Sequence, residues 1–111
     1  ARNCWYWGDI DTNGFAILNQ FRSVLPSLRS ILMDEETLIS HRDQWTTEDK
    51  HVNRSLPNLT ASEQLVYEGL CCNSWGDRVR LEQERISFKM VHPALERLSP
   101  SLRAVQEHMP K

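Results

Sequence analysis

Asp9-Ile10-Asp11-Thr12-Asn13-Gly14-Phe15 is the stretch that decides how this chain is read. An apolar aromatic run, Cys4-Trp5-Tyr6-Trp7-Gly8, precedes it, and an amphipathic run over residues 15–25 follows. That is the layout of a buried strand, an acidic turn and a helix. In an extended strand, residues i and i+2 point to the same side, so Asp9 and Asp11 project together at the strand's carboxyl end. Open α/β sheets place their ligands along that edge. Two neighbouring carboxylates repel each other unless a proton or a cation sits between them. A hard divalent cation held through oxygen, such as magnesium, is the simplest resolution. Capping of the helix by one of the aspartates is the competing use.

On either side of the acidic turn, local patterns suggest the remaining elements. The aromatics Trp5, Tyr6 and Trp7 favour a first strand over residues 3–9, without the alternation expected of a sheet wetted on one face. Gly14 allows a tight turn. Phe15, Leu18, Phe21 and Leu25, with Ile17 and Val24 beside them, form a helical apolar stripe that Pro26 ends. A second strand is expected over residues 28–33. Asp34 then caps a helix reaching about Trp45, with Glu35 and Glu36 at its positive end. Strand, helix, strand, helix is a βαβ unit, so the two strands are expected parallel with a right-handed crossover. Residues 46–59 are polar, contain Pro57 and read as a loop. Thr60 and Glu63 match a capping box that opens a helix to about Asn73, with Leu65, Val66 and Leu70 inward. Trp75-Gly76-Asp77 reads as a turn, and residues 79–86 have a period ambiguous between strand and helix. Pro93 starts a last helix over residues 94–98, Pro100 interrupts it, and residues 101–109 add a turn or two. The expected fold is α/β, a small parallel sheet flanked by helices, over residues 1–99 with a tail or short helix over 100–111.

A chain of 111 residues is one domain at most. Hydrophobic content of 40% and charged content of 25% suit a soluble globular protein. A formal net charge of -2 argues against a strongly basic nucleic-acid clamp while leaving room for a local basic patch. No apolar stretch nears the roughly 18 residues of a membrane span, so no membrane association is expected. Three cysteines, two of them the neighbours Cys71 and Cys72, make a poor disulfide framework and suit reduced thiols in a cytoplasmic protein.

Glu82 and Glu84 are further candidates. If extended, they share one side as the aspartates do; if helical, they diverge. Arg78, Arg80 and Arg85 interleave with them, which is also the pattern of a solvated charged segment. His41, His51, His92 and His108 have no metal-ligand spacing. No nucleophile signature, Walker-type loop or dinucleotide glycine pattern is present. Haloacid-dehalogenase-type phosphatases also carry paired aspartates after a first strand. Their pattern wants Thr or Val four residues after the first aspartate, where this chain has Asn13.

The run Trp7-Gly8-Asp9-Ile10-Asp11-Thr12-Asn13-Gly14-Phe15 resembles the acidic motif of Toprim domains, in particular the topoisomerase VI A-subunit branch. Three later segments come after it in a specific order: Ser30-Ile31-Leu32-Met33-Asp34, then Leu59-Thr60 with Glu63, then Arg80-Leu81-Glu82-Gln83-Glu84-Arg85-Ile86. Together they resemble the C-terminal region of JetD, the nuclease subunit of Wadjet-type bacterial anti-plasmid defence systems. The resemblance implies a Toprim domain lacking its first strand. It also implies a fragment of a metal-dependent endonuclease acting on double-stranded DNA, dimeric in the parent protein and fed by a condensin-like motor complex. The glutamate such sites use lies on a strand upstream of this chain, so the isolated chain is expected to be inactive. In that reading Asp9 and Asp11 bind Mg2+ or Mn2+, Glu84 or Glu82 completes the shell, and Arg80 and Arg85 steady phosphates. The alternative is a non-catalytic dimerisation or docking module.

Overall fold

Two short strands and one helix carry the decisive stretch. In the computed structural model, which describes residues 4–96, β1 (Trp5–Tyr6) and β2 (Arg29–Ser30) pair in parallel, with Trp5 opposite Arg29 and Tyr6 opposite Ser30. Helix α1 (Thr12–Val24) connects them. The βαβ order expected from the sequence is therefore present, but each strand is only two residues long. β2 ends early because Leu32 takes a left-handed conformation, φ 58°, in which no ladder continues. The chain beyond β1 changes partner instead of stopping. Ile10 N–H donates to Leu81 O at 2.9 Å and Leu81 N–H returns the bond to Ile10 O at 3.0 Å, an isolated antiparallel bridge.

Residues 46–59, read as a loop, contribute a strand. β3 (Thr46–Thr47) pairs antiparallel with β4 (Val79–Arg80), which settles the ambiguous period of that later segment as a short strand leading into a 3-10 turn, Gln83–Arg85. Helix α2 (Glu35–Ser40) is shorter than expected and passes into a second 3-10 turn, Arg42–Gln44. Asp34 caps it, its Oδ1 accepting from Thr37 N–H at 2.9 Å. Helix α3 (Ala61–Cys71) opens on the capping box of Thr60 and Glu63. Helix α4 (Phe88–Glu96) begins six residues before the expected start and holds Pro93 in its interior. The expected tail over 100–111 lies outside the described residues.

Ile10, Phe15, Leu18, Leu38, Leu56, Leu70 and Leu81 are fully buried at the centre of one core, which Val79 of β4 and residues of all four helices, including Val91 and Leu95 of α4, complete. The α1 stripe is narrower than its sequence suggests. Phe15 and Leu18 face inward, whereas Phe21, Val24 and Leu25 are 48%, 76% and 47% exposed. Arg22 takes the inward position instead. Its guanidinium meets Glu63 at 2.6 and 3.1 Å, Asn58 O at 2.8 Å and Leu28 O at 3.0 Å. On α3 the buried face is Glu63, Val66, Tyr67 and Leu70, and Leu65, expected inward, is 70% exposed. That buried ion pair ties the start of α3 to the end of α1, and fork geometry of this kind suits arginine better than lysine. No helix among the described residues is long and apolar enough to cross a membrane.

Candidate functional site

Asp9 and Asp11 flank Ile10, whose side chain is wholly buried and whose backbone is bridged to Leu81. The bridge holds this turn extended, which keeps alternate side chains on a common side. Each aspartate is anchored through one oxygen. Asp9 Oδ1 accepts from Gln83 N–H at 2.8 Å, and Asp11 Oδ1 caps α1 by accepting from Gly14 N–H. The other oxygen of each has no hydrogen bond among the described residues. Gly14 is required by close approach, not by a special turn conformation: a Cβ there would fall on the carbonyl oxygen of Asp9.

The electrostatics of this corner are unfavourable to its own anions. Asp11 is 5% exposed. Burial, helped by the nearby Glu48 and Asp9 carboxylates, pushes its carboxyl up to about 6, against the pull of the Gly14 amide and of Arg80. Tyr6 is pushed above its ordinary value for related reasons, burial first and then the Asp9 and Asp11 charges.

Glu48, on the stretch read as a loop, is the residue the sequence did not disclose. It is buried, and it binds the start of α1. Its Oε1 accepts from Thr12 Oγ1 at 2.7 Å and Thr12 N–H at 3.3 Å, and its Oε2 accepts from Asn13 N–H at 2.9 Å. With Asp11 on Gly14, the first three amides of α1 are all engaged by the protein's own carboxylates. That helix end is thus closed to an external phosphate, the usual ligand of a free helix N-terminus. The available signal was slight: Thr46-Thr47 is a β-branched pair suited to a strand, and Glu48 is the residue at the end of that strand.

The later acidic segment meets the pair through the Gln83 amide, and among the described residues its carboxylates complete no three-ligand group with it. Glu82 is 3.5 Å from Arg80 and 3.2 Å from Arg85, and Glu84 is exposed in the 3-10 turn. Arg80 also donates to Thr46 Oγ1 at 3.0 Å, and Arg85 Nη1 to Gln44 Oε1 at 3.3 Å. Among the described residues no group of three His, Cys, Asp or Glu side chains is placed to hold a metal ion. The pair nevertheless fits a hard cation of the magnesium type, which is commonly held by one or two carboxylates, with waters and substrate phosphates filling the other positions. Two anchored carboxylates with a free oxygen apiece, one of them buried and short of positive charge, are suitable donors.

The family model described as Wadjet protein JetD, C-terminal, matches residues 1–95, and the chain belongs to that family. No curated protein matches the chain.

Proposed function

We propose that this member of the JetD C-terminal family is the metal-holding part of a Toprim-type, metal-dependent endonuclease that cuts double-stranded DNA in anti-plasmid defence. The observation that carries the reading is the Asp9–Asp11 pair flanking the bridged Ile10 beyond β1, with Asp11 buried near the carboxylates of Glu48 and Asp9. Such a corner is relieved by a proton or by a divalent cation. Asp9 and Asp11 would hold Mg2+ or Mn2+ through their unengaged oxygens. Bound there, the ion supplies Lewis-acid stabilisation of charge on the scissile phosphate.

The remaining roles belong to the protein. Gln83 N–H and Gly14 N–H orient the two carboxylates. Arg80, half-buried and near Asp11, is the basic group set to meet a phosphate, with Arg85 farther out on the surface. Glu82 serves to hold those arginines, and Glu84 stands exposed in the 3-10 turn beside Gln83. Dimerisation, delivery of DNA by a condensin-like complex and the upstream glutamate belong to the same proposal. A docking or dimerisation module is the second reading, favoured by the exposed apolar side chains Phe21, Val24 and Leu25 at the end of α1.

The test is Asp9→Ala and Asp11→Ala in the intact protein. Each is expected to abolish metal-dependent DNA cleavage. Cleavage at the wild-type rate by either variant contradicts the proposal.

A further inference from the structure

We infer that Glu48 is a positioning residue for the Asp9–Asp11 pair, clasping the first two amides of α1 and so fixing the turn from which both aspartates project. The inference rests on the metal-site reading above. Glu48 is 3% exposed, and both of its oxygens are committed to Thr12 and Asn13. Thr12 Oγ1, in donating to Glu48, also accepts from Val52 N–H at 2.7 Å, so the stretch from 48 to 52 grips the turn at two points. The grip is set from the second sheet. Glu48 N–H donates to Arg78 O at 2.7 Å, extending the β3–β4 pairing by one step and fixing the backbone from which the carboxylate reaches α1.

The cost of this arrangement is what points beyond a structural role. Asp11 already caps the helix. A second carboxylate at the same helix end, bonded to the two amides that precede the one Asp11 takes, adds like charge beside the first. Among the described residues no arginine or lysine pairs with Glu48. Within 4.0 Å the ion-pairing group among the described residues is His51, with Nδ1 at 3.9 Å from Oε1. The positive end of α1 offsets part of that charge. A neutral side chain would cap Thr12 and Asn13 without the repulsion. A carboxylate there does two things a neutral cap does not: it holds the amides by the stronger charge-assisted bonds, and it deepens the negative field in which an ion bound by Asp9 and Asp11 would sit. Partners that orient metal ligands commonly matter to affinity almost as much as the ligands do.

The experiment is a calorimetric titration of Mn2+ into the intact protein and its Glu48→Gln variant, with thermal unfolding of the metal-free forms alongside. Glu48→Gln keeps the volume and removes the charge. The expected result is a Kd for Mn2+ weakened by about 10-fold, while turnover at saturating Mn2+ changes much less. A purely structural role instead lowers the unfolding temperature and leaves the Kd unchanged. That outcome, with the wild type binding Mn2+, overturns this inference and leaves the Asp9–Asp11 site standing. If the wild type does not bind Mn2+, or Asp11→Ala binds as well as wild type, the metal-site reading falls and this inference with it. If Glu48→Gln does not fold, Glu48→Asp replaces it. That variant keeps the charge one methylene short of the amides, the same weakening is expected, and an unchanged Kd overturns the inference.

Discussion

Two buried carboxylates sit at two helix starts in this protein, and their surroundings differ in sign. Glu63 at the start of α3 is met by the Arg22 fork, by Ser30 Oγ at 2.6 Å and by Thr60 N–H at 2.8 Å. Burial alone would raise its carboxyl, but these partners outweigh burial and hold it below its ordinary value. Asp11 at the start of α1 has burial, Glu48 and Asp9 acting together, and its carboxyl is pushed up to about 6. The first corner is internally balanced and needs nothing further. The second carries surplus negative charge at a lip of the fold. Identical chemistry therefore serves cohesion in one place and, on the proposal made above, cation binding in the other.

The largest effect on stability should come from breaking the balanced corner. Glu63→Ala strands Arg22 without its counter-charge and is expected to destabilise the fold by about 3–5 kcal/mol, measured by denaturant unfolding at pH 7. Because the Glu63 carboxyl lies below its ordinary 4.5 in the folded state, its contribution is present above that pH and is lost as the pH falls through the folded value. The difference between wild type and variant should therefore shrink in acid. A small effect at pH 7 would mean that the two corners are less unlike than their contacts indicate.

The unbalanced corner should respond in the opposite direction. Asn is as good an N-cap as Asp, so Asp11→Asn keeps the bond to Gly14 while removing the charge. The folded carboxyl stands at about 6 against an ordinary 3.8. Wild-type stability is accordingly lost as the pH rises from about 4 to about 6 and is level above that. Asp11→Asn should therefore be more stable than wild type above pH 6, by up to about 3 kcal/mol. The gain should vanish below pH 4, where both states of the wild type are protonated. A variant that is stabilised while losing metal binding is the mark of a residue kept for function at the expense of folding. Destabilisation at pH 7 contradicts the comparison.

What the sequence disclosed was what local chemistry controls. The caps at Asp34 and Thr60 arise from side chains reaching amides three residues away. The parallel β1–β2 pair was legible from two apolar runs separated by a helix. The pairings that build the site's surroundings span far greater distances along the chain: Thr12 to Glu48 across 36 residues, Asp9 to Gln83 across 74. Strands of two residues have no period to detect, which is why β3 and β4 were not foreseen as a pair. Hydropathy also misjudged the helix faces. Arg22 and Glu63 occupy inward positions because they satisfy each other, and this displaces Phe21 and Leu65 outward. A charged residue in a buried stripe is legible only when its partner is known. Of the candidate site, Asp9 and Asp11 stand out in the sequence as a spaced acidic pair, whereas Glu48 does not, because nothing in a polar run of Thr, Glu, Asp and Lys marks one acid as buried.

Convergence of Asp9 and Asp11 on a divalent cation can be read out with paramagnetic Mn2+. Added in small amounts to the isotope-labelled chain, it broadens the NMR signals of nuclei near wherever it binds. The carboxyl carbons of Asp9 and Asp11 and the amides from Gly8 to Gly14 are expected to broaden first, and Asp11→Asn to remove the effect. Broadening centred on Glu82 and Glu84, or spread evenly over the acidic surface and unchanged in Asp11→Asn, would contradict that convergence.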